Sequence, residues 1–135
     1  MAKPFSLGKK EKLKSRKQIE TLFASGKSFA VFPIRVTYSF FPANGEPGAQ
    51  IGVTVSKRHF KKAVDRNRIK RLLREGYRLQ KAEWMEAVKQ NNLQAFLFFM
   101  YTDKTMASFD VIKAAMNQCL KKLEKRAGSA NENIA

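Results

Sequence analysis

Residues 56–80 read SKRHFKKAVDRNRIKRLLREGYRLQ. Ile69, Leu72, Leu73 and Tyr77 recur at the three- and four-residue spacing that lines up side chains on one side of an α-helix, so the stretch is an amphipathic helix. Advancing about 100° per residue spreads Arg66, Lys70, Arg74, Arg78, Arg71 and Arg68 over the opposite arc, with Asn67 among them. The helix has an apolar floor for a core and a basic roof. Gly76 falls on the apolar side, where the missing side chain would let another element come close, at a cost in helix propensity of about 1 kcal/mol.

Upstream of this helix, Ile51, Val53 and Val55 alternate with Gly52, Thr54 and Ser56, the period of a strand with one buried face. A turn-rich loop holding Pro42, Asn44, Gly45, Pro47 and Gly48 precedes it. Before the loop, Ile34, Val36, Tyr38 and Phe40 alternate with Arg35, Thr37 and Ser39 within a strand expected over Phe29–Phe41. The two strands and their loop predict an antiparallel hairpin. Ser15 and Gln18 make a capping box that opens a short helix with Ile19, Leu22 and Phe23 on its apolar side, and Gly26 is the left-handed residue expected at its end.

Downstream, Gln80 to Asn92 is polar, carries the single tryptophan, Trp84, and fits a continued helix and a loop alike. Phe96 to Tyr101 is short and apolar on both faces, which predicts a central strand. Ser108 caps a final helix with Phe109, Ile112, Ala115, Met116, Cys119, Leu120 and Leu123 on one face, and Gly128 is expected to stop it. The order is helix, strand, strand, basic helix, strand, helix, an α+β arrangement with helices packed on a single small mixed sheet. One domain is expected over residues 13–127, between a flexible basic arm at 1–12 and a disordered tail at 128–135.

The 135 residues carry 27 Lys and Arg against 11 Asp and Glu, a formal charge of +16, and such self-repulsion is best tolerated beside a polyanion. Eleven cations and only Asp65 and Glu75 as acids lie between Lys57 and Lys81, and a second basic cluster runs from Lys3 to Lys17. Such clusters also occur as solvated faces, but the overall charge favours tracks for phosphates. No apolar run approaches the roughly 20 residues that span a bilayer, and no signal-peptide pattern opens the chain. A cytoplasmic protein without a membrane partner is expected, and the lone cysteine, Cys119, agrees with a reducing compartment.

A protein-borne active site is hard to assemble from these residues. His59 and Cys119 are the only members of their kinds, so no zinc cluster of histidines and cysteines can form, and Cys119 sits on the apolar face of the last helix as a core thiol. His59 lies in a basic run, where solvation or a phosphate contact suits it better than general-base duty. The acids are scattered, whereas a metal-dependent nuclease needs convergent carboxylates. Arg66, Arg68, Lys70, Arg71 and Arg74 are the expected phosphate contacts, and Asn67 adds an amide that donates and accepts. Phe23 and Tyr38 are possible stacking platforms for unpaired bases, although aromatics on an apolar face are more often core.

Arg66, Asn67 and Arg68, followed by Ile69, Lys70, Arg71 and Leu72, resemble the signature of the bacterial ribonuclease P protein family. The flanks agree: IGVTVSKR over Ile51–Arg58 resembles the family's strand before the basic helix, with Lys57 and Arg58 as its paired basic residues. Ala63 and Val64 precede the signature, Leu72, Leu73, Arg74 and Glu75 follow it, and Lys12, Leu13, Ile19 and Phe23 fall at the family's first helix. The resemblance runs from Leu7 to Lys125. It implies a fold like the second domain of a ribosomal small-subunit protein, with a left-handed β-α-β crossover through the basic helix. It also implies a subunit of the ribonucleoprotein that removes the 5′ leader from precursor tRNA, with catalysis carried by the RNA subunit. Lys57, Arg58, Arg66, Asn67, Arg68, Lys70, Arg71 and Arg74 would bind RNA, and Ile19, Phe23 and Tyr38 would line a cleft for the single-stranded leader. Ile19 stands where the family often has phenylalanine, so an apolar contact replaces stacking there. No protein-borne cofactor is implied: magnesium ions would be held mainly by the RNA subunit, with one protein per RNA. The competing reading is a general RNA chaperone or ribosome-associated protein, and the shortage of carboxylates counts against a protein-only nuclease. A DNA-binding role fits the charge, but the strand-flanked basic helix lacks the paired helices of common major-groove readers.

Overall fold

The computed structural model describes Glu20, Leu22 and residues 26–134, with side chains as far as Ser129. The arm at 1–12, the Ser15 and Gln18 cap, and the cleft candidates Ile19 and Phe23 lie outside the described residues. The elements are β1 (Lys27–Val31), β2 (Ile34–Pro42), β3 (Gly48–Val55), α1 (Ala63–Gln90), β4 (Leu93–Tyr101) and α2 (Phe109–Ile134). The strands form one sheet in the order β1-β2-β4-β3.

The stretch expected as one strand over Phe29–Phe41 is a hairpin of β1 and β2, turning at Phe32 and Pro33, with Val31 opposite Ile34. Proline locks its own φ and has no N–H to give to a ladder, which suits it to the turn. The expected hairpin of β2 with β3 does not form. Instead β4 lies between them, antiparallel to β2 with Tyr38 opposite Leu97, and parallel to β3 with Ile51 opposite Leu97. Alternation reports which face of a strand is buried and is silent on its neighbours. β4 takes the centre because it is the most apolar strand, and a parallel β3–β4 pair needs a long crossover, which α1 supplies.

Both helices pack on one face of the sheet. That face presents Ile34, Val36 and Tyr38 of β2, Ala49, Ile51 and Val55 of β3, and Leu97, Phe99 and Tyr101 of β4, all buried. The other face of β4 holds half-buried Phe96, Phe98 and Met100, so β4 is apolar on both sides as expected.

α1 settles the ambiguous stretch after Gln80 as helix, because Tyr77, Trp84 and Val88 extend the buried row begun by Ile69 and Leu73. Asn91 ends it, its backbone N–H and side-chain amide both donating to the Ala87 carbonyl, and Asn92 follows with φ 51°. Ser108 caps α2 through its hydroxyl to the Val111 N–H, and Ile112, Ala115, Met116, Cys119, Leu120 and Leu123 are buried as the spacing predicts. α2 runs through Gly128 to Ile134. Glycine costs only about 1 kcal/mol inside a helix, which a long packed helix absorbs. Gly26 also departs from expectation, since its φ is not left-handed. It is glycine because a Cβ would collide with the Leu22 carbonyl and stand 3.0 Å from that of Tyr38.

Candidate nucleic-acid interface

The start of α1 is built by the loop before it. Phe60 is buried against Tyr101, ring centroids 5.9 Å apart, and its N–H donates to the Ser56 carbonyl, while the Arg58 N–H donates to the Ser56 hydroxyl. This anchored turn leaves Lys57 and Arg58 exposed beside the helix. The residue before α1, Lys62, offers no side-chain cap, and Asp65 supplies the acid that favours a helix N-terminus.

Arg66 is half-buried and one of its guanidinium nitrogens donates to the carbonyls of Phe60 and Lys61, each at 2.8 Å. Expected as a phosphate contact, it fastens the loop to the helix. One turn on, Ile69 and Leu73 are fully buried, which fixes the roll of α1 and turns Asn67, Arg68, Arg71 and Arg74 outward, all exposed. Lys70 is half-buried. Arg78 pairs with Glu75 three residues before it, so the end of the row is partly neutralised. Among the described residues, no carboxylate pairs with Arg68, Arg71, Arg74, Lys57 or Arg58. The result is a rigid row of uncompensated cations, which attracts a polyanion and releases its counterions.

The second candidate region lies around the middle of β2. Tyr38 is only 6% exposed, so its ring as placed is not open to a base. Its neighbours are Phe29 at 5.9 Å and Phe40 at 5.0 Å between centroids. Arg126 of α2 lies over Phe29 at 4.6 Å and over Tyr38 at 5.4 Å, and donates to the Tyr38 hydroxyl at 2.7 Å. Lys122, one turn earlier, has its ammonium 5.5 Å from the Phe29 centroid. Leu22 is fully buried and the Gly26 N–H donates to its carbonyl, while a Cβ on Gly26 would stand 3.0 Å from the Tyr38 carbonyl, so Gly26 abuts β2 at this place. Phe29, Lys122 and Arg126 were not singled out by sequence. The available signal was the four-residue spacing of Lys122 and Arg126 beside the buried Leu123 and Ala127.

The described residues contain no group of three or more His, Cys, Asp or Glu placed to hold a metal ion. Cys119 is fully buried and burial pushes its thiol up to about 12, which keeps it protonated and inert. Among the described residues no helix is long and apolar enough to cross a membrane.

A family model described as Ribonuclease P matches residues 7–124. A Ribonuclease P protein component from Porphyromonas gingivalis strain W83 is 36% identical over 116 residues, 86% of this chain and 85% of the relative. One from Idiomarina loihiensis is 34% identical over 129 residues, 93% and 94% of the two chains. Among solved structures, the ribonuclease P protein from Thermotoga maritima superposes with a TM-score of 0.64 at 22% identity, covering 83% of this chain and 96% of its own. The Staphylococcus aureus ribonuclease P protein gives 0.62 at 23% identity, over 83% and 94%. At such identities the structural likeness speaks for the fold, and the sequence matches speak for the family.

Proposed function

Since this chain belongs to the ribonuclease P protein family, and is thus a protein subunit of that endoribonuclease working with ribonuclease P RNA, we propose that it docks on the RNA through α1 and guides the 5′ leader of precursor tRNA along the β1–β2 side of the sheet. The observation that carries this reading is the exposed row of Arg68, Arg71 and Arg74 beside Lys57 and Arg58, fixed by a fully buried opposite face and lacking carboxylate partners among the described residues. Neutralising phosphates supplies affinity, while Asn67 offers an amide able to read a base edge or a ribose hydroxyl.

The hydrolysis itself belongs to the RNA subunit with its magnesium ions. The described residues offer no convergent carboxylates for a two-metal site. The protein contributes position and affinity: holding leader and RNA together makes their encounter effectively intramolecular. One protein per RNA and a cytoplasmic setting complete the proposal.

The test is cleavage of labelled precursor tRNA at low magnesium by the protein alone, the RNA alone, and the two together. Efficient cleavage at the mature 5′ end by the mixture only is the expected result. A protein that adds nothing, and binds unrelated RNAs equally well, would instead be a general RNA chaperone.

A further inference from the structure

Two cations of α2 converge on one half-buried aromatic ring. Lys122 and Arg126 are four residues apart and both approach Phe29, at 5.5 and 4.6 Å from the ring centroid. Like charges at that helical spacing repel, so the arrangement costs stability unless something else compensates. The ring quadrupole compensates in part. A carboxylate would do so more fully, yet none among the described residues pairs with either side chain. Glu124, the acid between them in sequence, faces Glu83 of α1 and Lys121 instead, and its carboxyl is raised chiefly by burial and further by Glu83. Among the described residues, positive charge therefore gathers here without a carboxylate to balance it.

The cations also differ in how they are held. Lys122 is exposed, a mobile ammonium on a flexible stem. Arg126 is half-buried, its guanidinium lying over Phe29 and Tyr38 and one nitrogen spent on the Tyr38 hydroxyl. A guanidinium carries five N–H donors in a fixed plane, so the remaining donors are presented with most of the side-chain entropy already lost. Planar donors plus an adjacent ammonium match the oxygens of a phosphodiester.

We propose that Phe29, Lys122 and Arg126 form a phosphate seat for the single-stranded leader, with Tyr38 as the positioning residue that aims Arg126. This inference rests on the leader reading above and deepens it: at this place the strand is gripped by its backbone, and the Tyr38 ring serves as a support under the guanidinium rather than as a stacking platform. A backbone grip tolerates any leader sequence, whereas base-edge contacts would grade them.

The holoenzyme assembled from the full chain and its RNA subunit tests this, with binding measured for precursor tRNA carrying a leader and for mature tRNA. Arg126→Met keeps the packed stem and removes the charge; Lys122→Ala removes an exposed charge; Tyr38→Phe leaves the ring and frees Arg126. Arg126→Met should weaken binding of the leader-bearing substrate by about tenfold, the scale of one charge-assisted hydrogen bond, and lower its salt slope by about one. Mature tRNA binding and assembly with the RNA subunit should not change. Tyr38→Phe should give a smaller loss confined to the same substrate. A wild-type holoenzyme indifferent to the leader overturns the cleft reading and the seat together. A leader-sensitive wild type with an unaffected Arg126→Met overturns the seat alone, and equal loss for both tRNAs moves the contact to the tRNA body.

Discussion

Arg66 and Arg68 stand two residues apart in one motif and do different work. Arg66 ties the Phe60 and Lys61 carbonyls to α1, so Arg66→Ala should lower stability by about 1–3 kcal/mol, the range for hydrogen bonds made by a charged donor. Arg68 is exposed, so Arg68→Ala should change stability by no more than about 0.5 kcal/mol while weakening RNA binding. Urea titration followed by the fluorescence of buried Trp84 separates the two, and equal stabilities would refute the assignment. Cys119 gives a pH signature. Its thiol is raised to about 12 in the folded state from the ordinary value of 9.0, so the unfolded chain loses its proton first. Stability is therefore independent of this group below about pH 9 and falls above it, by up to about 1.4 kcal/mol per pH unit, until the folded thiol also titrates. Lysines titrate in the same window, so the comparison is with Cys119→Ala, whose alkaline slope should be shallower by that amount.

At the scale of elements, glycines report how closely neighbours approach. A Cβ at Gly76 would sit 3.6 Å from the Met116 Cβ, an ordinary contact, so Gly76→Ala should stabilise α1 by up to about 1 kcal/mol. Gly26→Ala should destabilise by about 1–3 kcal/mol, because the methyl meets backbone on two sides. Thermal melts of the two variants should move in opposite directions. The same scale marks what was legible in sequence. The buried face of α1 and the stripe of α2 follow from periodicity, which reports burial directly, and the interior position of β4 follows from its being apolar on both faces. The pairing of β3 with β4 follows from neither, since partner choice depends on the crossover through α1, and β1 reads as one strand with β2 because Phe32 and Pro33 interrupt the alternation for only two residues. For the site, the exposed Arg68, Arg71 and Arg74 were legible as the arc opposite Ile69 and Leu73. The anchoring role of Arg66 was not, because it depends on carbonyls that the Ser56–Phe60 turn brings within reach. The covering of Tyr38 by Arg126 joins residues 88 positions apart, which no local pattern encodes.

At the scale of the whole molecule, a charge of +16 is carried by a fold that buries one continuous core and keeps most of its cations at the surface. The row on α1 is rigid because Ile69, Leu73, Tyr77 and Trp84 lock the helix to the sheet, and its charge is left open among the described residues. Docking on ribonuclease P RNA should therefore be strongly salt-dependent, with a definite part of that dependence belonging to three side chains. The decisive measurement is the affinity of the full chain for the RNA subunit across a series of salt concentrations, for the wild type and for the Arg68→Ala, Arg71→Ala, Arg74→Ala triple variant. The account predicts that the triple variant keeps its fold and that its plot of log affinity against log salt is shallower by about two to three. An unchanged affinity and slope would contradict it and move the RNA off this face of α1.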